Sequence, residues 1–424
     1  MAVTEKRTRF EPAGSTFDLP ELEHEVLEMW ERERSFDVLR EKNAGGHTFS
    51  FIDGPITANA EAMGIHHAWA RTYKDVFQRF KAMEGFHQRY QNGFDCHGLP
   101  VEVGVERDLR LGNKRDIERY GVDKFSEACR ARVDRSAAAF TRQSRRLGQW
   151  MEWDDSYFTY SDENISHIWQ TLKLCHERGW LYKGHRSMPW CARCGTALSQ
   201  HELTLGYRDM THAAVFVRFP VLPDADGAGV SGEELATQKA AFLVWTTTPW
   251  TLAANVALAV HPDLEYVLAK RGDEVLIVSR GTFGSALRDD AELLRTVKGR
   301  DLVGLRFGGP FDGQLPAVDE AVLAHRVIPW EEVGEAEGTG IVHIAPGCGE
   351  EDFALSKVHD LPVLVPIDDM ARYRPGYGWL EGKDARDVSG EIAADLERRG
   401  LLLRSEPYTH RYPECWRCHE ELVF

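Results

Sequence analysis

The chain has 424 residues, 43% hydrophobic and 28% charged, with a formal net charge of −16. This is an ordinary soluble composition with room for two or three domains, and its acidity excludes nucleic-acid binding over the whole surface. The charged N-terminus (MAVTEKRTRFEPAGSTFDLP) is not a secretory signal, no run approaches the ~18 apolar residues of a membrane span, and eight cysteines are too few for a disulfide scaffold.

In chain order, apolar spacing predicts a helical arm over residues 19–42, within a first segment 1–48. Residues 47–52 (HTFSFI) read as a strand that ends at the Asp53-Gly54-Pro55 turn, and 64–83 as a helix. Strand, tight turn and helix in this order open a doubly wound nucleotide-binding fold. Helices are predicted again over 115–149 and 162–179, with Trp150, Trp153 and Tyr157 in the connection. Arg142, Arg145 and Arg146 are either a local basic stripe for a nucleic acid or a solvated helix face. From about 209 to 402 the composition shifts to short β-branched runs: AAVFVRFP, AFLVWTTT, EYVLAK, EVLIVS and GIVHIAP. A β-rich domain inserted into an α/β one is therefore expected, with divisions at 1–48, 49–208, 209–402 and 403–424.

Two Cys-x-x-Cys pairs flank that β-rich stretch, Cys191 with Cys194 and Cys415 with Cys418. Each pair places two thiolates on one metal, and together they complete a tetrahedral structural Zn2+ site of reduced cysteines in the cytoplasm. His201 and His419 are near enough in sequence to be substitute ligands, but the all-thiolate set is preferred.

Three further clusters carry chemistry. Gly64-Ile65-His66-His67 stands at a probable helix start, where backbone N–H groups, the helix dipole and imidazole donors favour a phosphate. Asp95, in Gly93-Phe94-Asp95-Cys96-His97-Gly98, offers an anion for a bound ammonium group or merely a turn former. Trp245-Thr246-Thr247-Thr248-Pro249-Trp250-Thr251 and Gly338-Thr339-Gly340-Ile341-Val342-His343, followed by Asp352, put hydroxyls, an imidazole and a carboxylate in the β-rich part. Such a set forms a small polar pocket able to orient water against an ester. Taken singly, these are a pair of histidines, a turn and a strand end.

Taken in order, the motifs resemble class I aminoacyl-tRNA synthetases, and within them the group for isoleucine. The aspartate followed by His97-Gly98-Leu99-Pro100-Val101-Glu102 fits that group better than those for valine or leucine. The resemblance implies a Rossmann-type catalytic domain, present as its first half, with an inserted editing domain and a zinc-knuckle connection. It implies a cytoplasmic monomer without membrane contact that activates isoleucine with ATP and Mg2+, charges tRNA(Ile) and hydrolyses misformed valyl-tRNA. The family signature His-x-Gly-His aligns with Gly64 to His67 in permuted form: His67 is in place, Gly64 fills the first position and His66 the glycine position. His66 and His67 would then lie by the phosphates, Pro55 at the wall of the amino acid pocket, and Asp95 on the substrate ammonium. In the insertion, Thr246, Thr247 and Thr248 would contact the terminal adenosine and amino acid. Trp250 and Thr251 would shape the sieve, His343 would limit side-chain size and Asp352 would hold the ammonium; Cys348 reads as a spacer.

The Lys-Met-Ser-Lys-Ser loop and anticodon-binding domain of the family are not found in these 424 residues, so the chain is expected to be a fragment incapable of ligation alone. A deacylase acting in trans, a valine- or leucine-type synthetase fragment and a non-catalytic tRNA- or zinc-binding remnant remain as alternatives.

Overall fold

The structure, a computed structural model, describes residues 16, 18–49, 52–288 and 290–424, apart from the side chain of Glu320. Residues 1–15 of the expected arm, and Ser50 and Phe51 of the expected first strand, lie outside the described residues. The chain forms two compact units, Met1–Tyr182 and Lys183–Phe424.

In the first unit the predicted arm is two helices. The first, α1 (Leu19–Arg32), starts where the Asp18 carboxylate accepts from the Glu21 N–H. It is separated from α2 (Ser35–Lys42) by Arg34, whose φ of 50° leaves the helical region. The predicted strand over 47–52 is reduced to single bridges, Thr48 to His87 and Ile52 to Gln91. Regular pairing begins only beyond Pro55, which has no N–H to give to a ladder: β1 (Ile56–Thr57) runs parallel to β2 (Gln91–Asp95). Between them lies α3 (Ile65–Met83), as predicted.

An unpredicted helix, α4 (Leu99–Leu109), follows β2; Pro100 sits in its first turn, where a missing N–H costs nothing. The single helix predicted over 115–149 is α5 (Lys114–Tyr120) and α6 (Val122–Arg146), divided at Gly121 with φ 110°. The connection after it is a strand, β3 (Glu152–Phe158), before the Ser161-capped α7 (Asp162–Glu177). The three strands make one parallel sheet in the order β1-β2-β3. Val133, Ala137 and Phe140, spaced i, i+4, i+7 on α6, bury with Val101 of α4 and with Ile56 and Phe94 of the sheet.

The second unit opens with a small hairpin of β4 (Trp190–Cys191) and β5 (Thr196–Ala197). Its main strands are β6 (Tyr207–Pro220), β7 (Ala240–Thr246), β8 (Ala257–Val260), β9 (Glu265–Arg271), β10 (Glu274–Ser279), β11 (Glu292–Lys298), β12 (Val327–Pro329), β13 (Ile341–Ile344) and β14 (Leu402–Pro413). Five of them, β6, β7, β9, β10 and β13, lie on the predicted runs. A six-stranded sheet has the order β11-β9-β10-β7-β6-β14, and a three-stranded one the order β12-β8-β13. Val217, Phe219, Phe242 and Val244 of the larger sheet share a core with Leu258, Val260, Ile328 and Ile341 of the smaller. The last strand, β14, pairs with β6 from Leu402 opposite Val217 to Pro413 opposite Tyr207. The strands that enter and leave the β-rich body are thus hydrogen-bonded neighbours.

Candidate functional site

In the first unit the Gly-x-His-His segment forms the N-terminus of α3. Gly64 is the N-cap, and its N–H donates to His67 Nδ1 at 3.2 Å. An N–H only donates, so His67 Nδ1 accepts and a neutral ring carries its proton on Nε2, as a donor for an incoming acceptor. Burial, then the neighbouring His66 and Arg71, push the His67 pKa down, which favours that neutral form. The two imidazoles lie 3.9 Å apart between centroids. A Cβ on residue 64 would fall 2.6 Å from His66 Cε1, so the His66 ring occupies the space a side chain at 64 would need.

Asp95 ends β2, where Thr57 of β1 faces it in register and donates Oγ1–H to its carboxylate at 3.0 Å. Pro55 is exposed just before β1. Among the described residues no hydrogen bond joins Asp95 or Pro55 to the histidines. The turn before β1 is anchored by Asp53, whose side chain is buried against Arg71 at 3.5 Å and Lys74, while its carbonyl accepts from the Tyr157 hydroxyl at 2.7 Å. Sequence reading missed this anchor and Thr57; the first had a faint signal in the charged residues Arg71 and Lys74, in the second and third turns of α3.

In the second unit the threonine run leaves β7 and enters a short 3-10 helix, Pro249–Ala254, which buries Trp250 and Thr251. Thr246 Oγ1 accepts from the Thr248 N–H at 3.1 Å, and the Thr248 and Thr251 hydroxyls lie 3.3 Å apart. Thr251 donates to the Thr248 carbonyl at 2.8 Å, so its oxygen accepts from His343 Nε2 at 3.1 Å. His343 on β13 is therefore joined to the threonines through Thr251. Its Nδ1 is left with no partner among the described residues, and burial pushes its pKa down to about 4. Thr247 is half-buried beside them.

Asp352 belongs to the helix Glu350–His359 and takes the Ala345 N–H, just beyond β13, at 2.7 Å. Burial raises its pKa to about 6, against that hydrogen bond. Two glycines shape the approach to β13. Gly338 and Gly340 have φ of 70° and 69°, and a Cβ would fall 2.8 Å from the Trp245 ring and 2.3 Å from Ser279 Cβ. The hydroxyl of Tyr373, absent from the sequence reading, donates to the Trp250 carbonyl at 2.7 Å. The two residues are too far apart in the chain for any local pattern to pair them.

The four predicted cysteine ligands converge. One sulfur from each of Cys191, Cys194, Cys415 and Cys418 lies within 4.8 Å of all the others, and the first three residues are fully buried. Thiolates ~2.3 Å from one tetrahedral ion are ~3.8 Å apart, so the set fits zinc. All eight cysteines are free of disulfides. His201 and His419 are exposed and outside the cluster, and His419 Nδ1 is instead 3.0 Å from Glu414.

The family model for tRNA synthetases class I (I, L, M and V) matches residues 25–416. The isoleucine–tRNA ligase of Thermobifida fusca (strain YX) is 41% identical over 416 residues, which are 98% of this chain and 38% of that protein. Those of Streptomyces coelicolor and Thermus thermophilus are each 39% identical, over 96% of this chain and 38% and 37% of theirs. The chain thus spans about 38% of the length of the curated relatives it matches. A solved editing domain of the P. knowlesi cytosolic leucyl-tRNA synthetase aligns with 37% of this chain and 66% of its own, at 16% identity and a TM-score of 0.27, too remote to carry weight.

Proposed function

This chain belongs to the class I tRNA synthetases (I, L, M and V), and we propose that it carries the activation and editing sites of an isoleucine–tRNA ligase. The substrates would be isoleucine, ATP with its Mg2+, and tRNA(Ile). Activation asks for positioning and charge stabilisation, not covalent chemistry. His67 Nε2–H and His66 would donate to the phosphates at the α3 N-terminus, and Asp95, steadied by Thr57, would pair with the substrate ammonium. Zinc, held by Cys191, Cys194, Cys415 and Cys418, would supply a structural cross-link. The Rossmann-type reading of the three-stranded parallel sheet belongs to this proposal.

The observation that carries the editing half is the hydrogen-bonded chain from Thr246 through Thr248 and Thr251 to His343, with the Asp352 carboxylate fixed on the N–H of Ala345, the first residue beyond that strand's end. It provides hydroxyls for the ester, an uncharged imidazole against the side chain and a carboxylate for the ammonium. A second sieve is needed because one methylene yields only ~1–3 kcal/mol of discrimination, a magnitude measured on this class of enzyme itself. Every residue of this pocket lies in the second unit, which also favours a deacylase acting in trans. The test is hydrolysis of preformed valyl-tRNA and isoleucyl-tRNA, beside Asp352→Ala. Selective loss of valyl-tRNA that the variant abolishes is expected; no hydrolysis by a folded, zinc-loaded sample would overturn the editing reading.

A further inference from the structure

The ribbon of β6 and β14 carries two histidines that neither site uses. His212 stands opposite Tyr408 and His410 opposite Met210, so the imidazoles are diagonal neighbours on one face. His212 Nδ1 and His410 Nε2 are 2.8 Å apart, and His212 Nε2 lies 3.4 Å from Glu421 Oε1. A carboxylate only accepts, so His212 Nε2 donates to it, Nδ1 accepts, and His410 Nε2 carries the bridging proton. The neutral pair is therefore complete with one proton between the rings. One added proton is absorbed if His410 moves its own proton to Nδ1. A second leaves two N–H groups facing each other across 2.8 Å on adjacent cations.

We infer that His212 and His410 are an acid-sensitive latch that holds the entry and exit strands of the β-rich body together above neutral pH and releases them below it. The surroundings favour this. Tyr412 packs edge-on beneath His212, with ring centroids 4.9 Å apart, and is itself buried. The charged groups on this face are Arg208, engaged by Glu414, and Glu406, engaged by Arg288 and Arg404. From other segments come Glu421 and Glu337, the latter bonded to the Tyr408 hydroxyl. Burial and then His212 depress the His410 pKa, and Glu337 opposes them only in part. A histidine depressed in the folded state leaves the fold at full stability above its ordinary pKa of about 6.5 and weakens it as the pH falls through that value.

The test is amide hydrogen exchange of the zinc-loaded chain at pH 7.5 and 5.5, corrected for intrinsic rates, beside His410→Gln, whose amide keeps the donor but does not titrate. Peptides spanning 207–213 and 408–413 are expected to lose protection about tenfold at the lower pH in the wild type and to keep it in the variant. Zinc loss would affect both proteins alike, so equal losses in the two, or no loss in the wild type, would overturn the latch. Should His410→Gln not fold, NMR titration of the wild-type imidazoles decides. The His410 ring is expected to protonate below its ordinary pKa, and protonation at its ordinary pKa would overturn the latch.

Discussion

Asp352, the carboxylate proposed to hold the ammonium, is placed at a cost to the fold. Its side chain is partly withdrawn from water and its pKa is raised to about 6 by burial. A carboxylate raised in the folded state stabilises the protein most below its ordinary pKa near 4, and that stability is lost as the pH rises through about 6. Asp352→Asn is therefore expected to raise the melting temperature at pH 7.5, by the equivalent of about 1–3 kcal/mol, and to leave it nearly unchanged at pH 3.5. A scan showing destabilisation at pH 7.5 would mean the charge is already compensated within the fold. In the sequence Asp352 was legible only through its motif. Nothing local distinguishes it from Glu350 and Glu351, and its burial comes from packing beside β13. Thr251 was visible as part of the threonine run, but its role as the link to His343 needed the 3-10 turn that brings the two oxygens and the imidazole together. The His66 ring over Gly64 was likewise unreadable, since it depends on side-chain direction at a helix start.

Elements were legible where periodicity is strong and obscure where one residue breaks it. The β-branched runs located five strands, whereas β8, β11, β12 and β14 lacked a strong enough run to be singled out. Helix α6 and its neighbour α5 read as one because a single glycine, Gly121, ends the first with a φ that only glycine adopts readily. The convergence of the four cysteines was readable from their spacing, because two-residue gaps fix which thiols can share an ion. The cluster's partners were not. The Trp190 N–H and carbonyl bond Val423 at 2.7 and 3.0 Å, and the Gly206 N–H and carbonyl bond Leu203 and Glu414. The cluster thus joins the hairpin to the returning chain just beyond β14. Metal binding at such a site contributes folding free energy directly. Chelation of a zinc-loaded sample is expected to release one ion per chain and lower the melting temperature, with exchange protection lost first over residues 189–206 and 413–424. Cys194→Ser should reproduce this without chelator. Unchanged stability on complete zinc release would show that hydrogen bonds alone hold the knuckle.

At the scale of the molecule, the surface of α3 sets a constraint that composition concealed. Ile65, Trp69, Tyr73, Val76, Phe77, Phe80 and Met83 all lie on this one helix and are more than half exposed, Ile65 and Met83 at 89% and 85%. Their spacing of three and four places them on a continuous stripe that begins beside the His66–His67 pair. On average values the chain looked conventional, because 43% hydrophobic residues is unremarkable and the net charge of −16 favours dispersal. A contiguous apolar stripe nevertheless drives association in proportion to the area it removes from water. The monomer implied by family resemblance is therefore not expected to persist for this chain at high concentration. Sedimentation velocity between 1 and 100 μM (about the range where micromolar contacts register) should show concentration-dependent self-association. Val76→Glu with Phe77→Lys should suppress it without lowering the melting temperature, because neither side chain belongs to the core. The neighbouring Arg71 and Gln78, which do point inward, are left intact. A wild-type chain that stays monomeric throughout would show that the stripe is shielded by flanking polar side chains, and the paired charge variant would then change nothing.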